Sequence, residues 1–158
     1  MTKPKVLISD KMDPNAAAIF RERGCEVDEI TGLSPEELIK IIGKYDGLAI
    51  RSSTKVTPAI LDACDNLKVI GRAGIGVDNV DIPAASAKGV VVMNTPFGNS
   101  ITTAEHAIAL MFALARQLPE ANAQTQAGLW PKNGFMGIEV TGKTLGLIGA
   151  GNIGSIVA

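Results

Sequence analysis

The chain is poor in the residues that most often announce chemistry. Its 158 residues include one histidine (His106), two cysteines (Cys25 and Cys64), one tryptophan and one tyrosine. Two cysteines cannot build a disulfide framework, and neither stands at a ligand-type spacing from His106, so neither a stapled miniprotein nor a metal site is expected. An excess of one charge is missing as well: 15 Lys and Arg stand against 16 Asp and Glu, a formal net charge of -1. That balance leaves no surplus of cations for a phosphate backbone, which argues against nucleic-acid binding. Long apolar runs are absent too. The longest spans Ala107 to Ala115 and stops at Arg116, well short of the roughly 20 residues that cross a bilayer. No membrane association is expected, and Met1-Thr2-Lys3-Pro4 starts no signal peptide, so the reading is a reduced, cytoplasmic protein.

What the chain does have is aliphatic residues and glycine, with 46% hydrophobic residues and 17 glycines. Short apolar segments recur around Val6-Leu7-Ile8, Val27, Leu48-Ala49-Ile50, Val69-Ile70 and Val90-Val91-Val92, roughly 20 residues apart, a period that suits βα units rather than hairpins. Between them lie helix openings of one kind: Asp13-Pro14, Ser34-Pro35 and Thr57-Pro58, with Asp81 and Pro83 opening a fourth. A capping side chain followed by proline at the first turn marks a helix start. Ser34 with Glu37 forms a capping box, and Gly24 and Gly43 stand where left-handed caps would end the first two helices. The first 96 residues therefore predict a five-stranded, flavodoxin-like α/β domain. Ligands of such sheets gather at the carboxyl ends of the strands. The residues there are Asp10, Arg51-Ser52-Ser53, Arg72-Ala73-Gly74-Ile75-Gly76 and Asn94-Thr95.

Beyond Pro96 the texture changes. Thr102 with Glu105 predicts a second capping box, opening a helix that runs to about Gln117 and is stopped by Pro119. It is apolar nearly all round, so burial between other elements is expected. His106 is read as packed within it, not catalytic. A polar stretch from Glu120 to Gly142 follows, anchored by Trp130 and Phe135, and then Thr144 to Ile148 reads as a strand.

The strand leads into Gly149-Ala150-Gly151-Asn152-Ile153-Gly154, a GxGxxG in the strand-to-helix context of a dinucleotide-binding turn. Gly149 would make the tight turn, Gly151 would admit a pyrophosphate to the backbone, and Gly154 would allow close helix packing. The amides at the helix start would then meet the anion. This predicts the beginning of a doubly wound (Rossmann) domain. The second glycine cluster, Gly71 to Gly76, can form an anion nest beside Arg72, and Arg51 at the neighbouring strand end converges on the same crevice. A conformational role for those glycines in a tight βα turn is the alternative. Asn94 suits either an amide contact to a substrate oxygen or a plain strand-end turn. Asp10 raises a response-regulator reading, which fails at the third strand end, where Arg51 occupies the phosphoacceptor's place. Cys64 is read as packed.

Four segments together, IRSSTKVTPAIL, VIGRAGIGVDNVD, VVVMNTPFGNSITTAEHAIALMFALAR and GKTLGLIGAGNIG, resemble the D-2-hydroxyacid dehydrogenases, and the similarity covers essentially the whole chain. The resemblance implies an oxidoreductase that oxidises a phosphorylated 2-hydroxy acid with NAD, as a homodimer or homotetramer. It implies that residues 1–96 are the first segment of a substrate-binding lid, completed by a later stretch, and that 97–158 begin the nucleotide-binding domain. By position, Arg51, Ser52, Arg72, Asn94 and the amides of Ala73 and Gly74 would hold the substrate. Lys132 stands where relatives carry an arginine directed to the substrate phosphate of a neighbouring subunit. Ile75 would reach the nicotinamide side through its backbone, while Gly149, Gly151, Asn152, Ile153 and Gly154 would form the pyrophosphate turn. The family's catalytic arginine, glutamate and histidine fall beyond residue 158, so no catalytic residue is assigned and the chain alone is expected to be inactive. The alternatives are a relative acting on glycerate, glyoxylate or hydroxypyruvate, and an NAD-sensing corepressor type of binding protein.

Overall fold

A computed structural model of the chain describes residues 2–158. Backbone contacts divide it into two compact units, one ending at Gly98 and one of Asn99–Ala158.

The first unit alternates strand and helix: β1 (Lys5–Ile8), α1 (Pro14–Glu22), β2 (Glu26–Glu29), α2 (Pro35–Ile42), β3 (Gly47–Ile50), α3 (Pro58–Asp62), β4 (Val69–Arg72), α4 (Ile82–Ala87) and β5 (Val91–Met93). All pairings are parallel, in the order β2-β1-β3-β4-β5. This is the flavodoxin-like arrangement expected from the βα period. The caps explain the helix starts. The Asp13 carboxylate accepts the amide of Asn15 at 2.9 Å and that of Asp81 accepts Ala84 at 2.9 Å. Ser34 and Glu37 complete a reciprocal box at 2.8 and 3.2 Å, while Thr57 makes no side-chain cap bond. Gly24 ends α1 with φ +86°, but Gly43 corrects the expectation, being right-handed with φ -60°. A Cβ at Gly43 would come within 3.1 Å of the Ala63 carbonyl, so close approach rather than handedness is what glycine supplies there.

Successive residues along one strand belong to different cores, as a pleat requires. Leu7, Leu48, Ile50 and Ile70 pack with Leu38, Ile42, Ile60, Leu61 and Ala85 from α2, α3 and α4. Val6, Ile8 and Ala49 pack with Ala17, Met12 and Phe20 in and around α1. Among the described residues of this unit, one sheet face thus carries three helices and the other one. On that second face Val91 and Met93 are each 58% exposed, and a cavity of about 500 Å³ opens beside Met12, Phe20, Gly71 and Met93. The outer strand β2, Glu-Val-Asp-Glu, departs from the expected apolar pattern; its charges suit an unpaired edge.

The second unit holds α5 (Ser100–Ala115), α6 (Leu118–Gln126) and α7 (Gly154–Val157), and several expectations are corrected in it. Helix α5 starts three residues earlier than the Thr102 box requires, capped by Asn99 without a side-chain bond. It is not enclosed: only Ser100 and Ala104 are buried, and Leu114 is 82% exposed. His106 accordingly lies on its exposed surface rather than packed. Pro119 does not merely end α5. Gln117 turns left-handed at φ 50° and Pro119 then sits in the first turn of α6, a helix that runs into the polar stretch beginning at Glu120. Thr144 to Ile148 is no strand, since a strand requires a hydrogen-bonded neighbour and no other strand of the described residues lies in this unit. No helix among the described residues is long and apolar enough to cross a membrane.

Candidate functional site

At the carboxyl end of the first unit's sheet, side chains lace four strand ends together. Asp10, just past β1, is 4% exposed and accepts hydrogen bonds from the Arg51 amide at 2.6 Å, the Thr54 amide at 3.1 Å and the Thr54 hydroxyl at 2.7 Å. Burial alone would raise its carboxyl. The bonds from the Thr54 hydroxyl and from the amides of Thr54, Arg51 and Ser53 outweigh that and hold it below the ordinary value of 3.8. Ionised Asp10 therefore shapes the loop after β3, from which the Arg51 side chain projects, exposed, with one terminal nitrogen 3.3 Å from the Lys11 carbonyl. Ser52 is exposed on the same loop.

The β4 end adds Arg72, in register beside Ile50 of β3. Its Nε donates to the Asn79 side-chain oxygen at 2.8 Å. The Asn79 amide nitrogen in turn donates to the carbonyls of Arg51 at 2.7 Å and Thr54 at 2.6 Å. A Cβ on Gly74 would run into the Arg72 guanidinium, so glycine there makes room for it. The amides assigned to substrate at Ala73 and Gly74 are already engaged, with the Ile50 carbonyl and the Arg72 carbonyl, both at 2.9 Å. Those of Ile75 and Gly76 have no partner among the described residues. From the β5 end, Asn94 donates to the Ile75 carbonyl at 2.7 Å and the Thr95 amide to that of Gly74 at 2.9 Å. Asn94 is thus a brace for the glycine loop, leaving its own carboxamide oxygen available.

Within the second unit, Lys132 lines a hollow of about 450 Å³ with Trp130, Phe135, Leu129 and Thr125. The glycine turn has the features a pyrophosphate loop needs. Gly149 takes φ +96°, a Cβ on Gly154 would collide with the Gly149 carbonyl, and Gly151 faces open space. The amides of Asn152 and Ile153 donate to no group among the described residues. A nicotinamide dinucleotide fits these residues: the turn itself requires glycine at 149 and 154, and Gly151 leaves the space beside the free amides open.

A family model described as the D-isomer specific 2-hydroxyacid dehydrogenase catalytic domain matches residues 6–150. The chain belongs to this family. It is 51% identical over 154 residues to D-3-phosphoglycerate dehydrogenase of Archaeoglobus fulgidus, a match covering 98% of this chain and 29% of that relative. A solved protein of Thermus thermophilus superposes with a TM-score of 0.88 at 35% identity, over 97% of this chain and 51% of the other. NAD+-bound 3-phosphoglycerate dehydrogenase of Entamoeba histolytica superposes at 0.78 with 31% identity, over 99% and 49%. The chain spans less than a third of the length of the curated relatives it matches.

Sequence reasoning placed Arg51, Ser52, Arg72 to Gly76 and Asn94 at strand ends, and the fold brings those ends together. It passed over Asn79. Lying between the glycine loop and the Asp81 cap, Asn79 reads as one more turn residue, and its three side-chain bonds all reach other segments.

Proposed function

We propose that this chain binds substrate for an enzyme that oxidises 3-phospho-D-glycerate to 3-phosphohydroxypyruvate with NAD, the entry to serine biosynthesis in the cytoplasm. Residues 1–96 act as the first segment of the substrate lid and 97–158 as the start of the nucleotide-binding domain. The observation that carries the reading is the paired arginine loops: Arg51 and Arg72 stand on adjacent strand ends, cross-linked by Asn79, with neither of the Arg72 terminal nitrogens hydrogen-bonded among the described residues. Two guanidinium groups on adjoining strand ends suit a substrate with an anionic group at each end, since charge-assisted hydrogen bonds are the strong ones.

In this reading Arg51 and Ser52 meet the phosphate end, joined by Lys132 of a neighbouring subunit. Arg72 and the 73–76 loop take the carboxylate, with the unpartnered amides of Ile75 and Gly76 nearest to hand and those of Ala73 and Gly74 exchanging their present carbonyls. Asn94 offers its carboxamide oxygen to the substrate. Bound NAD supplies the hydride acceptor; Ile75 borders its nicotinamide, and Gly149, Gly151, Asn152, Ile153 and Gly154 hold its pyrophosphate. None of the described residues is assigned the proton transfer. Exposed Ile101, Leu110 and Leu114 support assembly as a homo-oligomer, and the half-bare sheet face supports a later segment completing the lid.

Kinetics of the full-length protein test this. Arg51→Ala is expected to raise KM for phosphoglycerate on the order of tenfold or more, the loss of a charged hydrogen bond, with far less effect on unphosphorylated 2-hydroxy acids. Equal effects on both would remove the phosphate assignment and favour a glycerate- or glyoxylate-type substrate.

A further inference from the structure

We propose that Asn79 is a positioning residue that holds the two arginine loops in one geometry, so that Arg51 and Arg72 engage a single anion together. This deepens the functional reading above and rests on it. The carboxamide of Asn79 has one acceptor oxygen and two N–H donors, and all are used: the oxygen by Arg72 Nε, the two hydrogens by the carbonyls of Arg51 and Thr54. The partners leave no choice of orientation, because a guanidinium only donates and a carbonyl only accepts. No other uncharged side chain of this length can satisfy that pair of demands, so the bond set is selective for asparagine.

Asn79 is itself firmly placed. Its carbonyl accepts the Val56 amide at 2.8 Å and the Asp81 amide donates to the Val56 carbonyl at 2.9 Å, while Val56 and Val80 are 1% and 5% exposed. The main chain on either side of the carboxamide is therefore tied to the core, and only the side chain reaches the site. Fixing Nε orients the whole planar guanidinium, leaving both of its terminal nitrogens for a ligand. The same carboxamide sets the carbonyl at the base of the Arg51 side chain. A chain of contacts thus runs from ionised Asp10 through the Arg51–Thr54 loop and Asn79 to Arg72. Such support outside the contact shell is what holds binding groups within the narrow tolerance that recognition needs.

The test is steady-state kinetics of the full-length enzyme with Asn79→Ala, Arg72→Ala and the double variant. Asn79→Ala is expected to raise KM for phosphoglycerate on the order of tenfold with KM for NAD unchanged. In the Arg72→Ala background the same substitution is expected to add less than about twofold, because the group it positions is gone. Asn79→Asp keeps an acceptor for Arg72 Nε but loses both donations, and is expected to fold and to raise the same KM. An unchanged KM for phosphoglycerate overturns the inference, as does an equal rise in both KM values or full additivity with Arg72→Ala. Failure of both Asn79 variants to fold makes the residue a structural joint and overturns the positioning role. A wild-type enzyme that does not turn over phosphoglycerate overturns the functional reading and this inference with it, whereas wild-type turnover with an unaltered Asn79→Ala KM removes this inference alone.

Discussion

The two units of the chain are built from similarly apolar sequence and differ in what they bury. Among the described residues, every buried hydrophobic residue but one lies in the first unit, from Val6 to Val90; the second contributes Ala104 alone. The cause is topology, not hydrophobicity. In the first unit each strand has a parallel neighbour and each helix a sheet face to cover, so Leu7, Leu48, Ile50 and Ile70 close on one core. In the second, α5 is apolar nearly all round, yet among the described residues of the unit the only helices that meet it are the short α6 and α7. An apolar segment becomes a core only when something comes to meet it.

The sharpest way to break that comparison is a pair of truncations of similar chemistry. Ile70→Ala empties a wholly buried position at the centre of the sheet and is expected to cost about 2–5 kcal/mol, the range for deleting a buried aliphatic side chain. Leu114→Ala, at a position 82% exposed, is expected to change stability by less than about 0.5 kcal/mol. Denaturant titration of the chain carrying either change reads both numbers. Comparable losses would mean that α5 is enclosed in solution, and that the contrast between the units is wrong.

Within the first unit, Asp10→Asn comes next in size. It replaces a buried carboxylate that accepts several bonds with a carboxamide whose nitrogen would face an amide or a hydroxyl donor, an expected cost of about 1–3 kcal/mol. The linkage has a definite sign. The folded-state carboxyl is held below its ordinary value of 3.8, so its contribution is full above that value and is lost as pH falls through the lower folded value. Acid titration of the unfolding free energy should therefore show a steeper decline in the wild type than in Asp10→Asn, and parallel profiles would remove Asp10 as a stabilising charge.

These contrasts also mark how much was legible beforehand. The five strands and the starts of α1, α2 and α4 follow from local signals, a 20-residue period and a capping residue before proline, and the structure has them in the flavodoxin-like arrangement. The crevice was legible for a topological reason, since parallel strands deliver their following loops to one edge. What escaped depends on partners distant in the chain. Asn79 looks like a turn residue until Arg51, Thr54 and Arg72 are brought beside it. Pro119 signals a stop and a start equally well, and only the left-handed Gln117 decides for the start. The strand read over Thr144 to Ile148 rests on one apolar run, yet a ladder is a property of two segments, and among the described residues of this unit there is one.

That last difference yields the gentlest test, because its expected effect in the second unit is none. Amides of β4 sit between β3 and β5 in paired ladders, and their exchange should need unfolding of the first unit. Leu145, Leu147 and Ile148 are 51%, 41% and 107% exposed, and their amides donate to no backbone carbonyl among the described residues. Hydrogen exchange on the 158-residue chain as a dilute monomer is expected to show strong protection at Ile70 and Gly71 and almost none from Leu145 to Ile148. Protection of both segments in the monomer would show that the second unit finds its own ladder, and would overturn the contrast from the side of the backbone. Protection that appears at 145–148 only as concentration rises would instead locate the missing neighbour in another copy of the chain.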